Sequence, residues 1–527
     1  QKRSYSVVID AGSSGSRVMI YSWDSPELQQ QSASSANHSS RIRLPLIERA
    51  GEKWTFKTSP GISSFADSVE SVGAQHIKPL LDFAQATVPQ QQIGQTPVLL
   101  LATAGMRLLD PSQQHLLLKT ACSYARNNYA FSLPDCADSF QVVSGELEGL
   151  YGWVAVNYLL DGFGSQKSNR QRQSLSHGFL DMGGASAQIA FEPAAAVQPL
   201  HRDDLARVTL RSLDGEDHAF DVFVATFLGH GTNEARRRFV DRLKHMAAKE
   251  DATGAVPSIE DPCLPTGLLL PTTDGSAVLR GGGRFSECVA ATEPLLNLTS
   301  CPIEPCLLAG VPAPKIDFAL QRFVGVSEYW YASHDYLGLG GLWDVERFER
   351  QAARFCRRPW AELQRLLPSS SGDENVMRAG RLQMQCFKAA WLVNVLHKGF
   401  GVPRGLSSNF ESVDRVGDVE VSWTLGALLM LRVLHTIAPS KASLRAASHP
   451  GIVLSAKQSA VSQAGEPVEL VDDSLWSPLR VVGAGRLLVL WSLQPVHVRV
   501  IIAAALAALV AMALPLLNRR RGVPMFW

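Results

Sequence analysis

Two short loops constrain this chain more than any other feature: Asp10-Ala-Gly-Ser-Ser-Gly-Ser-Arg17 and Asp181-Met-Gly-Gly-Ala-Ser-Ala-Gln188. Each follows an apolar, β-like run, Tyr5-Ser-Val-Val-Ile9 in the first case and Gly178-Phe-Leu180 in the second. Each then sets glycines and hydroxyls behind one carboxylate. A strand ending in Asp-x-Gly turns tightly, and its backbone N–H groups and hydroxyls converge where a phosphate fits. One such loop is a common turn. A pair, one in each half of the catalytic region, predicts two related lobes gripping a polyphosphate, and hence phosphoryl chemistry.

At 527 residues the chain has room for two or more domains and a sizeable core. A net charge of +1 with 19% charged residues gives no global field for nucleic acid, and none is expected as a partner. The run Arg236-Arg237-Arg238 reads as a solvated helix face. Eight cysteines (122, 136, 263, 288, 301, 306, 356 and 386) all precede residue 390. That usage predicts four disulfides in an oxidising compartment, with the pairing open. Zinc held by Cys263, Cys288, Cys301 and Cys306 is the alternative, but the usual short Cys-x-x-Cys spacing is missing. Asn37-His-Ser39 and Asn297-Leu-Thr299 are N-glycosylation acceptors if the region is lumenal.

Val500 to Leu517 is an uncharged apolar stretch of 18 residues, followed by Asn518-Arg519-Arg520-Arg521. This predicts a single membrane-spanning helix over 498–518 and a cytosolic tail over 519–527, with the catalytic region lumenal. Gln1-Lys2-Arg3 runs into the first strand without an apolar signal segment or an initial Met. The expectation is that residues preceded it or were trimmed. If nothing preceded it, the C-terminal helix itself directs insertion.

Between the ends, strands alternate with helices, which makes the class α/β. Residues 5–23 read as a hairpin around the first loop, and 29–40 as a polar surface loop. Strands are expected at 98–102, 140–143 and 217–228, and helices at 111–127, 144–160, 232–250, 344–367 and 379–398. A further helix follows Ser422-Trp-Thr-Leu-Gly426, to about residue 437. The stretch 165–177 is a polar insert, 251–315 is loop-heavy and stapled, and 438–477 has linker composition.

Polyphosphate hydrolysis needs a phosphate cradle, a divalent cation to offset charge, and a positioned water with a base. The loops supply the cradle through their N–H groups and through Ser13, Ser14, Ser16 and Ser186. Asp10 and Asp181 face the cation from opposite sides, holding Mg²⁺ indirectly where it keeps its waters. Arg17 either neutralises phosphate or sits in a surface ion pair. The base is sought in Ser144-Gly-Glu146-Leu-Glu148, where either carboxylate otherwise serves the helix dipole. Ser186 and Gln188 are suited to orient the water. An aspartyl-phosphate at Asp10 is disfavoured because Gly12 stands where haloacid-dehalogenase-type sites carry a second Asp.

Taken together, these residues resemble the GDA1/CD39 family of nucleoside phosphatases, the apyrases. The family's five signature regions correspond to Asp10–Arg17, Leu101-Ala-Thr-Ala-Gly-Met-Arg107, residues 144–158, Leu180–Gln188 and the Ser422–Gly426 zone. Within the family the likeness is to the fungal Golgi branch, on His201-Arg-Asp-Asp-Leu, Ala235-Arg-Arg-Arg-Phe and Ser327-Glu-Tyr-Trp-Tyr331. The resemblance implies two actin-like, RNase-H-like lobes: residues 1–143, completed by about 425–440, and 144–424, with nucleotide in the cleft. A linker over 441–497 then leads to the membrane helix.

The resemblance also selects Glu148 rather than Glu146 as the base, and gives the nucleophilic water to Ser186 and Gln188. It puts a Ca²⁺ or Mg²⁺ ion between Asp10 and Asp181. Phosphate and nucleotide contacts fall to Gly12, Ser13, Ser14, Ser16, Arg17, Thr103, Gly183, Gly184 and Ala185. Trp391 matches an aromatic position that stacks on the base, although a Trp at helical spacing is otherwise a core residue. The implied activity is hydrolysis of nucleoside di- and triphosphates in the Golgi lumen, in support of glycosylation. An exopolyphosphatase-like enzyme and an inactive membrane glycoprotein of the same fold are the alternatives.

Overall fold

The computed structural model describes residues 3–458 except 34–41, 52, 165–175, 196, 249–256, 299–300, 368–372, 406–408 and 456–457. Those residues lie within one compact unit, Gln1–Pro467.

The apolar run before the first loop forms β1 (Arg3–Ala11), which turns back antiparallel into β2 (Ser16–Asp24). Short strands β3 (Glu48–Arg49) and β4 (Thr55–Thr58) pair with β2. On the other side β5 (Val98–Ala102) and then β6 (Phe140–Val142) add in parallel. The second sheet repeats this plan. Its hairpin is β7 (Gly178–Met182) and β8 (Ser186–Phe191), extended outward by β10 (Asp217–Leu228) and β9 (Leu205–Arg211).

A small sheet of β11 (Ser258–Asp261), β12 (Leu269–Pro271) and β13 (Val278–Gly281) follows. The chain then returns to the second sheet with β14 (Phe323–Ser327), parallel to β7. Next come β15 (Gly341–Leu342), β16 (Phe410–Ser412) parallel to β14, and the hairpin β17 (Arg415–Val416) and β18 (Val419–Glu420). The orders β2-β1-β5-β6 and β8-β7-β14-β16 are therefore equivalent: an antiparallel hairpin continued by two parallel strands.

Burial explains why the parallel strands are continuously apolar. Val98 to Ala102 are all buried, as a strand covered on both faces requires. One apolar cluster takes Val8, Met19 and Leu99 from the first sheet and Phe179, Val224 and Val326 from the second, with Trp153 and Leu428 from helices between. The helix Gly145–Leu159 is central to it. Glycines let it press onto its neighbours: a Cβ at Gly149 would meet Val224 at 2.9 Å, and one at Gly152 would overlap the Phe179 ring. From the other side Gly426, in the helix Trp423–Leu428, lies against the Tyr151 carbonyl.

Most expected elements are found, including the helices Pro111–Asn128 and Thr232–Ala248 and the long strand β10. Four readings need correction. The expected 29–40 loop is helical up to its Ala33, because Pro26 starts a helix that runs to that residue. The arginine run is not a solvated face: only Arg237 is exposed, while Arg236 is buried on Asp261 and Arg238 donates to the Gly229 and Leu295 carbonyls. The expected helix over 344–367 is interrupted before Pro359, giving Val345–Cys356 and then Trp360–Leu363; the 251–315 stretch is loop-heavy as expected, with a small sheet and the helix Phe285–Thr292 set among its loops.

The start of the linker also belongs to the fold. Lys441–Arg445 is helical, and β19 (Gly451–Val453) pairs with β9, whose open edge offers unpaired backbone groups.

The cysteines pair as Cys122–Cys136, Cys263–Cys288, Cys301–Cys306 and Cys356–Cys386, which removes the zinc alternative. Asn297 is exposed at the end of a helical turn, whereas Asn37 lies outside the described residues. Among the described residues no helix is long and apolar enough to cross a membrane. The segments 165–175 and 500–517 lie outside those residues.

Candidate active site

Both phosphate-loop sequences fold as the same turn. Two residues past each aspartate, Gly12 N–H donates to the Gly15 carbonyl and Gly183 N–H to the Ser186 carbonyl, each at 3.0 Å. Register continues the equivalence, with Asp10 opposite Arg17 and Asp181 opposite Gln188. The two turns meet. A Cβ at Gly184 would fall 2.7 Å from the Ser13 hydroxyl oxygen, and Gly61 and Gly105 close on the backbone of Ser13 from other sides. Three separate segments thus need glycine around one serine. The carbonyls of Gly183 and Gly184 accept from Thr232, Asn233 and Glu234 at the start of the next helix, which fixes the second loop from behind. Thr103, buried beside the first loop, donates its N–H to Ala11.

Glu148 reaches this junction from the first turn of the Gly145–Leu159 helix, whose N-terminus is capped by Ser144. Its Oε2 accepts from Arg107 Nη2 at 2.9 Å and from Gln188 Nε2 at 3.3 Å. Gln188 Nε2 also donates to Ser186 Oγ at 2.7 Å, and Arg107 Nη2 to the same hydroxyl oxygen at 3.0 Å. A second Arg107 nitrogen, Nη1, is tied to the Val143 carbonyl at 2.8 Å. Glu148, Ser186 and Gln188 therefore form one buried hydrogen-bonded group with Arg107 at its centre. Burial raises the Glu148 pKa above the ordinary carboxylate value, and Arg107 opposes that rise.

The two aspartates are perturbed further. Asp10 is pushed up to about 7, first by burial and then by the charge of Glu148, against the lowering effects of Arg17 and a hydrogen bond from Trp423. Asp181 is pushed up to about 7 as well, by burial and then by Glu148. Its Oδ1 is buried without a hydrogen-bond partner. Mutually repelling carboxylates with an unpartnered buried oxygen are the environment a cation relieves. Among the described residues, no three His, Cys, Asp or Glu side chains converge closely enough to ligate an ion directly. Such a pair fits a hydrated divalent cation held through its waters.

A profile of the GDA1/CD39 (nucleoside phosphatase) family matches residues 1–446. The chain belongs to this family. It is 38% identical over 443 residues to the Golgi apyrase of Saccharomyces cerevisiae, covering 81% of this chain and 70% of that one. It is 40% identical over 456 residues to the Golgi apyrase of Schizosaccharomyces pombe, covering 81% and 75%. Among solved structures, a nucleoside triphosphate hydrolase from Neospora caninum matches with a TM-score of 0.53 at 16% identity, over 82% of this chain and 93% of that one. That likeness concerns the fold.

The GDA1/CD39 signature regions thus occupy one place in the structure, but not every residue expected there takes part. Ser16 turns into the core, where its Oγ lies 2.7 Å from His76 Nε2. It is one residue out of phase with Arg17, so the strand's alternation points it away from the loop. Arg17 itself is engaged with Glu420 in an ion pair. Trp391 is fully buried, its indole N–H bonded to the His230 carbonyl and its ring in the core of the second sheet. It is a core residue and offers no surface to a base. Arg107 is the residue that sequence reasoning missed as a site member. Its signal lay at the end of the second signature region, but its partners Glu148 and Ser186 are 41 and 79 residues away.

Proposed function

We propose that this chain is an apyrase that hydrolyses nucleoside di- and triphosphates to the monophosphate and inorganic phosphate by direct attack of water. The observation that carries the reading is the Arg107–Glu148–Gln188–Ser186 group at the meeting point of the two glycine turns. In this reading the two sheets with their hairpins are actin-like lobes and the nucleotide's phosphates lie between them. Loop N–H groups with Ser13 and Ser14 cradle the phosphates.

Ser186 and Gln188 orient a water toward the terminal phosphorus. Glu148 takes the water's proton as the new P–O bond forms and the bridging P–O bond breaks, releasing the shortened nucleotide. Arg107 fixes Oε2 of Glu148, so Oε1 is the oxygen that receives the proton. A divalent cation, Ca²⁺ or Mg²⁺, held through water by Asp10 and Asp181 would offset the charge on the phosphate oxygens.

Two relatives bear the name Golgi apyrase. We infer the same compartment here, with the catalytic region lumenal and residues 498–518 as a single membrane anchor. Clearing nucleoside diphosphates there supports glycosylation. The test is phosphate release from a panel of nucleoside di- and triphosphates and long-chain polyphosphate, with and without divalent cation. Cation-dependent release from nucleotides is expected. Preference for polyphosphate, or no release, contradicts the reading.

A further inference from the structure

A row of side chains crosses each sheet beside its glycine turn. In the second sheet Asp181 lies opposite Gln188 and Gln188 opposite Thr226, so the three share one face. That row runs into the hydrogen-bonded group around Glu148. Thr226 Oγ1 accepts from Gln188 Nε2 at 3.4 Å, and a Cβ at Gly145 would overlap the Thr226 side chain. In the first sheet Asp10 lies opposite Arg17 and Arg17 opposite Lys57. Lys57 therefore holds the place in the first sheet that Thr226 holds in the second.

The neighbours of Lys57 fix the way it faces. Phe56, one residue earlier, lies opposite Val18 and stacks on Phe83 of the helix Lys78–Thr87, with ring centroids 5.5 Å apart. Alternation along β4 turns Lys57 to the other face, that of Asp10 and Arg17. Just beyond it the chain closes on the first glycine turn. A Cβ at Gly15 would meet the Thr58 carbonyl at 2.5 Å, and one at Gly61 would overlap the Ser13 carbonyl. Lys57 is exposed, and among the described residues its ammonium makes no ion pair or hydrogen bond. Its pKa is nonetheless held down to about 8, by desolvation first and then by the charge of Arg17. A lysine open to solvent yet crowded by protein stands on a concave wall and lacks a counter-charge. The other cations at the turns are engaged: Arg17 with Glu420, and Arg107 with Glu148, Ser186 and the Val143 carbonyl.

We propose that Lys57 binds the polyphosphate of the nucleotide and supplies the positive charge that Arg17, held by Glu420, does not. The two rows then divide the work. Gln188 and Thr226 serve the water on the side of the second sheet, and Lys57 serves the phosphate charge on the side of the first. This rests on the reading that the phosphates lie at the two glycine turns. A point charge on a flexible stem suits phosphate oxygens of either a di- or a triphosphate.

The test is calorimetry of the full chain with the α,β-methylene analogues of ADP, GDP and UDP, each with Mg²⁺, over a range of salt concentrations. Lys57→Met keeps the length of the stem and removes the charge. Lys57→Arg keeps the charge. Lys57→Met is expected to bind about tenfold more weakly or worse, with a shallower salt dependence and an unfolding midpoint no lower than that of the unsubstituted chain. Lys57→Arg is expected to retain most of the affinity and the salt dependence. If the unsubstituted chain binds and Lys57→Met stays within about twofold of it, the reading of the site stands and the proposal falls. Weakening with a lowered midpoint, with an unchanged salt dependence, or equalled in Lys57→Arg overturns it as well, because Lys57 then only supports the fold. If the unsubstituted chain binds none of the analogues, the reading of the site fails, and the proposal falls with it.

Discussion

Arg107 shows how one side chain sets the chemistry of another. Its guanidinium bonds Glu148, Ser186 and the Val143 carbonyl, so it joins the proposed base to the hydroxyl proposed to orient the water and ties both to the end of β6. It is also the main influence holding the Glu148 pKa down against burial. Arg107→Ala should therefore raise that pKa further, and the base is active only when ionised. The acid limb of the kcat/KM profile is expected to move to higher pH; an unmoved limb would show that Arg107 does not tune Glu148.

Other residues mark where sequence reading stops. Composition offered Glu146 and Glu148 alike at a helix start, and only the family resemblance chose between them; the close approach that Gly149 allows its helix toward β8 and β10 was not visible in the sequence. Ser16 was misjudged because loop composition hides strand phase. Trp391 was misjudged because a buried and a ligand-facing aromatic share the same spacing on a helix.

At the scale of elements, the two glycine turns work as one device. Their likeness was visible in the sequence, since strand, Asp-x-Gly and hydroxyls recur in the same order. Their contact was not, because it depends on helices and loops closing from distant positions, as Gly61 and Gly105 do on Ser13. Gly184→Ala tests that contact. The added methyl would meet the Ser13 hydroxyl and the Asn233 amide, both at 2.7 Å. Both are side-chain atoms that can shift, so the chain is expected to fold, with the unfolding midpoint little changed. Nucleotide affinity should fall about tenfold or more, since a displacement of about 1 Å at a site is costly. Unaltered affinity, measured by calorimetry with a non-hydrolysable analogue, would show that the turns do not grip the phosphates together.

For the whole molecule, the same carboxylates that suit the site tax the fold. Asp10 and Asp181 titrate near 7 against an ordinary 3.8, so the folded protein binds more protons than the unfolded chain between those values. Their contribution is fully present below about pH 3.8 and is lost as pH rises through about 7. His76, buried and held down to about 4, works in the opposite direction. Comparing variants at a fixed pH separates the two. Without divalent cation at pH 8, Asp181→Asn should stabilise the fold by on the order of 1 kcal/mol, read as a higher denaturation midpoint. At pH 5 the gain should shrink. No gain at pH 8 would mean that Asp181 carries no such burden.

The disulfides act on the fold rather than on the chemistry. Cys356–Cys386 ties the helix Val345–Cys356 to the helix Asp373–Asn394 across 30 residues. Replacing both cysteines with serine should cost about 3.5 kcal/mol of stability while leaving kcat per folded molecule unchanged. A large fall in kcat would link that bridge to the active site.

Hydrolysis by a water that Glu148 activates is the central claim, and Glu148→Gln tests it most directly. Phosphate release from nucleoside di- and triphosphates, measured beside nucleotide binding, should fall by about 10²–10⁴-fold in kcat with affinity nearly unchanged. Turnover close to that of the unsubstituted chain would contradict the account.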